Sequence, residues 1–236
     1  MQKILGHLRR ADNDYNMICD GDKIAVGLSG GKDSLTLVAA LKRYQGFGTK
    51  KFDFVAVSVD NRDGDTDFSG VSAFCEKLGV EHHIVKSQIF EVVFKIRKEK
   101  SPCSLCAKMR RGILNAKAKE LGCNKIALGH HADDVIETFF LSLLYEGRLS
   151  TMKGKSYMDR TDITLIRPLI YVPESETTRV SRTFPVINNC CALNGKTQRA
   201  AMKGLVKKLD GEISGARKRI NDAINYLTFD NIKCQN

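Results

Sequence analysis

Short apolar runs alternate along this chain with stretches whose apolar positions recur every three or four residues. The runs at 23–28, 52–59, 81–85, 125–128 and 163–166 have the length of strands; Asp60 closes the second and Pro168 follows the fifth. Between them lie helical patterns. One spans 35–44, one is made by Val71, Phe74, Cys75 and Leu78 and stops at Gly79, and one is made by Ile89, Val92, Val93 and Ile96 and reaches Lys100. A basic helix over 107–121 turns at Gly122, and a strongly apolar one covers 135–145. Ahead of the first strand, Leu8, Tyr15, Met17 and Ile18 among charges predict a short helix, with Asp20-Gly21-Asp22 as a turn. Beyond Pro173 the spacing is helical again, broken at 184–191, resumed over 197–209 and followed by a basic amphipathic stretch over 211–236. The basic, glycine-containing segment 147–160 reads as a loop.

Strands alternating with helices call for right-handed crossovers and hence a parallel five-stranded sheet flanked by helices, an α/β fold. The chain divides into a helical lead-in at 1–22, an α/β domain at 23–170 and a small helical C-terminal extension at 171–236. No internal repeat or low-complexity segment interrupts this order. In open α/β sheets ligands bind beyond the carboxyl ends of the strands, where strand order reverses. The loop after the first strand, Asp60 and Gly129-His130 all follow strand ends, so they should share one rim.

The first of these loops carries the strongest chemical signal. Ser29-Gly30-Gly31-Lys32-Asp33-Ser34 stands between a strand and a helix start. Its glycines leave no side chain between the amides and a ligand, and the helix beyond directs unpaired N–H groups and its positive dipole end there. An anion belongs there, most simply a phosphate chain. It is not a Walker A loop, because Val26 stands where the first Gly is required and Asp33 where the hydroxyl is. Nor do the glycines fit a dinucleotide fingerprint. What remains resembles the pyrophosphate loop of ATP pyrophosphatases, which adenylate a substrate and release pyrophosphate. That resemblance has Ser29, Ser34 and the amides of Gly30 and Gly31 holding phosphates, Lys32 adding a point charge and Asp33 helping to hold Mg²⁺. The alternative is a plain glycine turn into a helix.

Composition adds a partner and a compartment. Among the 236 residues, 38 Lys and Arg outnumber 27 Asp and Glu, a formal charge of +11 spread along the chain. A polyanion, nucleic acid first, is the natural partner, although a solvated surface could carry the same charge. No apolar run approaches the ~18 residues of a membrane span, and the start lacks a signal-peptide pattern, so a cytoplasmic protein without membrane attachment is expected. Eight cysteines then need a purpose in a reducing compartment. Cys103-x-x-Cys106 has the spacing of a metal, iron–sulfur or redox pair, and a thioredoxin-type pair would follow the first strand rather than precede a late helix. Cys190 and Cys191 are the other candidates; Cys19, Cys75, Cys123 and Cys234 are isolated. Three thiolates leave a structural zinc site incomplete but can hold a cubane cluster with one open iron.

The pyrophosphate loop, Cys103-x-x-Cys106 with Arg110-Arg111 behind it, Leu128-Gly129-His130-His131-Ala132-Asp133-Asp134 and Ile166-Arg167-Pro168-Leu169, in that order, resemble the tRNA 2-thiocytidine synthetases. The likeness runs over about residues 8–226. It implies an adenine nucleotide alpha hydrolase-like (PP-loop, Rossmann-like) fold, ATP and Mg²⁺, and a [4Fe-4S] cluster on three cysteines. It also implies tRNA as substrate, a sulfur donor such as a cysteine desulfurase, and a cytoplasmic homodimer. The phosphate loop is then Ser29 to Ser34, Gly129 and Asp134 contact ATP, Asp60 lies by the adenosine, and Asp33, Arg110 and Asp134 carry catalysis. The third cysteine falls on Cys191, with Cys190 in the family's proline position. The implied reaction adenylates the C2 oxygen of a tRNA pyrimidine, cytidine 32 being the one expected, and replaces it with sulfur.

Each of these residues also has a plainer reading. Asp133, Asp134 and Glu137 lie in the first turn of a helix, where acids are stabilising without any ligand. His130 and His131 can be hydrogen-bonded rim residues, Arg110 and Arg111 a solvated face, and Asp60 a loop cap. A ligase without a cluster, such as a lysidine synthetase, and a non-catalytic ATP- or RNA-binding protein are the rival functions; the former has no use for Cys103-x-x-Cys106.

Overall fold

The computed structural model describes residues 1–97, 102–187 and 197–233, with side chains up to residue 226. Six strands form one sheet: β1 (Lys23–Gly27), β2 (Asp53–Asp60), β3 (His82–Lys86), β4 (Lys125–Ala127), β5 (Lys155–Met158) and β6 (Ile163–Ile166). Their order is β3-β2-β1-β4-β6-β5, parallel throughout except for β5, which runs antiparallel to β6. The α/β expectation therefore holds with one strand added. β5 lies inside the segment read as a basic loop. Its Lys-Ser-Tyr-Met sequence has no apolar alternation because it is an edge strand with no fully buried side chain.

The helices are α1 (Gln2–Tyr15), α2 (Lys32–Phe47), α3 (Ser69–Lys77), α4 (Pro102–Glu120), α5 (Ala132–Glu146), α6 (Glu174–Val180), α7 (Gln198–Glu212) and α8 (Ala216–Lys233). Two local departures matter. The pattern ending at Lys100 forms a π-helical turn, Glu91–Ile96, within the described residues. The basic helix begins at Pro102, five residues before the apolar pattern does, because proline is well suited to a first helical turn. Cys103 and Cys106 therefore lie in the first turns of α4, on neighbouring positions of its surface, instead of in a loop before it.

Alternation along the strands sends side chains to two cores. Ile24 and Val26 of β1 join Ile4 and Leu8 of α1, Leu35 and Leu41 of α2, and Val135 and Ile136 of α5 on one face. Ala25, Val55, Val57, Ile126 and Leu165 meet Leu114 and Ala118 of α4 on the other. Val206 of α7 and Ile224 of α8 join the first core, as does α1, so the lead-in and the extension pack on the α/β unit. Both faces of the sheet are covered, as a parallel sheet requires.

At the amino ends of β1 and β4 a buried ion pair ties the turn before β1 to the sheet. Lys125 Nζ donates to Asp22 Oδ2 at 2.6 Å and to the Met17 carbonyl at 2.8 Å, while Asn124 Nδ2 donates to Asp22 Oδ1 at 2.8 Å. Burial alone would raise the Asp22 pKa; hydrogen bonds from Lys125, the Cys19 amide and Asn124 outweigh it and hold the carboxyl below its usual range. Asp22→Ala leaves the Lys125 ammonium buried without a counter-charge. The expected cost is ~3–5 kcal/mol, read as a lower urea midpoint at unchanged slope.

Candidate nucleotide-binding site

At the carboxyl end of the sheet lies a cavity of about 370 Å³. One wall is the glycine loop, through Ser29, Gly31, Asp33 and Ser34; Leu28, Val57 and Val59 add apolar surface from the ends of β1 and β2. The opposite wall is α4, through Ala107, Arg110, Arg111 and Leu114, and Gly129, His130 and Asp134 close the remaining side. The cavity thus sits beside β1 and β4, the neighbours at which strand order reverses. A larger cavity, about 790 Å³, lies on the other side of the start of α5 against α1 and α8, and no residue of the glycine loop borders it. The phosphate chemistry belongs to the smaller one.

The loop is held open by its own hydroxyls. Ser34 Oγ donates to the Gly31 carbonyl at 2.9 Å, and the Gly31 amide donates to Ser29 Oγ at 3.3 Å. Gly30 takes a φ of 78°, a conformation side chains disfavour, and a Cβ there would lie 2.7 Å from Ile187 Cδ1. The Ile187 amide donates to the Gly30 carbonyl at 2.9 Å. Gly129 is favoured by close approach, since a Cβ would stand 3.0 Å from the carbonyl carbon and oxygen of Asp33.

The acidic residues of the site are compensated within the chain. Asp33 accepts from Thr177 Oγ1 at 2.6 Å and from Lys32 Nζ at 2.8 Å. Lys32 does not border the cavity: its ammonium also reaches Glu174 at 3.2 Å. Burial would lower the Lys32 pKa, but Asp33 and Glu174 outweigh it and raise it. Glu174 is pulled down to about 2, because Lys203 and Lys32 overcome the desolvation that would raise it. Asp134 forms a capping box, accepting from the His131 amide at 2.9 Å and donating its own amide to His131 Nδ1 at 3.3 Å. Its other oxygen accepts from Arg199 at 2.9 Å.

The remaining candidate residues divide. Asp133 turns away from the loop and accepts from the Glu174 amide and from Arg217. Asp60 stands outside the cavity lining and serves its own loop, accepting from the amides of Arg62 and Gly64 and from the Thr66 hydroxyl. Cys103 and Cys106 form no disulfide; Cys106 lies one turn ahead of Arg110 and Cys103 a turn earlier, and Ala107, next to Cys106, borders the cavity. Cys190 and Cys191 lie outside the described residues. Among the described residues no group of three metal-ligating side chains occurs. Sequence reasoning missed Glu174, Thr177 and Lys203, which no local signal marks. Arg167 stood in a resembling motif without a role.

Residues 6–184 match the family model of the PP-loop domain. The fold is also that of the U34-tRNA thiolase NcsA from Methanococcus maripaludis, a structure with its [4Fe-4S] cluster. The TM-score is 0.77 at 23% identity, over 96% of this chain and 78% of that one. Sequence relatives are more specific: the tRNA-cytidine(32) 2-sulfurtransferase of Pseudomonas entomophila is 40% identical over 95% of this chain and 85% of its own length. That of Geobacter metallireducens is 37% identical over 94% and 89%. The chain belongs to the tRNA-cytidine(32) 2-sulfurtransferase family of PP-loop proteins.

Glu137, 5% exposed beneath this site, titrates unusually: burial, then the nearby charge of Asp134, pushes its pKa from 4.5 up to about 7. The proton it holds stabilises the fold fully below pH 4.5, and that contribution is lost as pH rises through about 7. Glu137→Gln mimics the protonated form at every pH. In urea titrations its stability relative to the parent should rise across this window, by ~3 kcal/mol at pH 8.

Proposed function

We propose that this chain is an ATP-dependent sulfurtransferase acting on tRNA, with cytidine 32 as the base whose C2 oxygen is replaced. The observation that supports it best is a single cavity with the Ser29–Ser34 loop on one wall and, on the other, the helix that begins with Cys103 and Cys106.

ATP lies along the rim, its base on the apolar side formed by Leu28, Val57 and Val59 and its phosphates on the loop amides and the start of α2. The C2 oxygen of the pyrimidine enters from the side of Arg110 and His130 and attacks the α-phosphorus. The negative charge that gathers on departing pyrophosphate meets amides already oriented by Ser29 and Ser34, so little reorganisation accompanies the step. Lys32 adds positive charge behind the loop while orienting Asp33. Asp33 is the carboxylate suited to Mg²⁺, and a hard cation there would further neutralise the phosphates. Arg110 stands over the nucleotide, and Asp134 is fixed for its contact by His131 and Arg199.

The cysteine pair fits two ligands of a cluster: neither is in a disulfide, they stand one helical turn apart, and Ala107, next to Cys106, borders the cavity. Cys191 is the third ligand in this proposal, with Cys190 beside it. Of the described residues around them in sequence, Ile187 donates its amide to the Gly30 carbonyl and Arg199 bonds Asp134. A bound [4Fe-4S] cluster would supply sulfur to the activated carbon as AMP leaves. A cysteine desulfurase as sulfur donor, a homodimer and a cytoplasmic location complete the proposal; among the described residues no helix is long and apolar enough to cross a membrane.

Anaerobically prepared protein should contain iron and acid-labile sulfide and should convert cytidine to 2-thiocytidine in tRNA, read by mass spectrometry of the nucleosides. Cys103→Ser should abolish thiolation while ATP still binds, and Lys32→Ala should slow tRNA-dependent pyrophosphate release by ~10²-fold. Full activity of Cys103→Ser would instead indicate a ligase without a cluster.

A further inference from the structure

The two sides of the cavity differ in charge balance. Every carboxylate around the glycine loop has a cationic or hydroxyl partner, whereas Arg110 and Arg111, both exposed on α4, make no ion pair among the described residues. Arg167, at the end of β6, is half-buried and lacks a carboxylate within 4.0 Å among the described residues. Its Nε donates to His130 Nδ1 at 3.2 Å and its Nη1 to the Lys153 carbonyl at 2.5 Å. Burial, followed by the adjacent charge of Arg111, lowers its pKa to about 10 against the smaller, opposing effect of Asp134.

Arginine can only donate, so His130 Nδ1 must be the accepting nitrogen and the ring proton sits on Nε2. Burial pushes the His130 pKa down to about 4, so the ring is neutral at physiological pH. His130 borders the cavity and Arg167 stands behind it. The result is a neutral N–H donor on the cavity with the Arg167 guanidinium bonded behind it and the Arg111 charge close to Arg167; Asp134, on the same cavity, offsets part of this positive charge but is itself bound by Arg199. This group lies at β4 and β6, whereas the glycine loop follows β1 and the apolar surface for the base comes from β1 and β2. Parallel strands are spaced about 4.8 Å apart, so the end of β6 is roughly 10 Å across the sheet from the loop, on the side away from the base.

We propose that Arg111, Arg167 and the Nε2–H of His130 form a second anion seat that takes a backbone phosphate of the RNA beside the nucleotide being modified. This rests on the reading of tRNA as substrate. Arg111 and His130 make the contact, and Arg167 is a positioning residue that sets the His130 tautomer and adds charge behind it. A phosphodiester is the fitting occupant because the three groups of the seat are donors and two of them are cations, and the neighbouring carboxylate, Asp134, already has Arg199 as its partner. A splayed anticodon-loop nucleotide brings its flanking phosphate to within one nucleotide length of the reacting oxygen.

The test uses the full chain and an unmodified tRNA transcript, with affinity measured across a KCl series, and ATP binding measured separately without RNA. Arg111→Gln should weaken tRNA binding about tenfold and flatten the log–log salt slope by about one; Arg167→Gln should do likewise. ATP affinity should change less than twofold. Because one phosphate is shared, the double variant should lose much less than the product of the two single losses. In ¹⁵N spectra the His130 ring should hold the proton on Nε2 in the parent and mix tautomers in Arg167→Gln, with Arg167→Lys recovering part of the RNA affinity. Should Arg167→Gln fail to fold, Arg111→Gln on its exposed helix face carries the test. Unchanged tRNA affinity and slope in both variants, against a parent that binds tRNA, would overturn the seat alone, as would a tenfold loss of ATP affinity, which would give these groups to the nucleotide. A parent with no affinity for tRNA would overturn the substrate reading and the seat with it.

Discussion

The contact of Gly129 with the first turn of α2 is the constraint on which the chemistry of this protein depends. Two backbones meet there at a separation that crowds any side chain: a Cβ on Gly129 would lie 3.0 Å from the Asp33 carbonyl and 3.1 Å from the Ser34 amide. β1 and β4 are neighbours in the sheet, so the loops that follow them open onto the same crevice. The contact draws those loops together until the starts of α2 and α5 both border one cavity. The start of α2, where no side chain caps the first N–H groups, then faces this volume, a setting that favours an anionic ligand before any charged side chain is counted.

The helices after the sheet complete this centre by compensating charge. Thr177 and Glu174 of α6 engage Asp33 and Lys32; Arg199 and Lys203 of α7 engage Asp134 and Glu174; Arg217 of α8 engages Asp133. The acids at the start of α5 and in the loop are thereby held in defined positions rather than repelling an incoming triphosphate. On the α4 and β6 side Arg110, Arg111 and Arg167 make no ion pair among the described residues; the nearby Asp134 charge favours the Arg167 guanidinium but is itself bound by Arg199. The net charge of +11 is therefore functionally uneven: part is consumed internally, and part is presented where a polyanionic substrate would arrive.

The cysteine pair illustrates how a small shift in local structure changes a chemical reading. Placed in a loop, Cys103 and Cys106 would have no fixed relation to the nucleotide; placed at the start of α4, they share a rigid element with Ala107, Arg110 and Arg111, which border the cavity. A helix that packs through Leu114 and Ala118 against the sheet fixes, by its own rise, how far the two cysteines stand from the residues of α4 that border the cavity.

Much of this was legible in the residues because the signals are local. Periodicity exposed the α/β alternation, the spacing of Ser29-Gly30-Gly31-Lys32-Asp33-Ser34 between strand and helix exposed an anion loop, and the order of four motifs exposed the family. Other features were decided only in three dimensions. β5 pairs at an edge without apolar alternation, so its sequence resembles a loop. Lys32 points to Glu174 and Asp60 to its own turn, because the nearest unsatisfied partners came from elsewhere in the fold or from the backbone just downstream. Thr177, Arg167 and Arg199 lie 144, 37 and 65 residues from the groups they hold, and no pattern along a chain records such a pairing. Local sterics and spacing determine elements and backbone loops; which side chain neutralises which charge depends on packing, and that exists only once the sheet and its helices have closed.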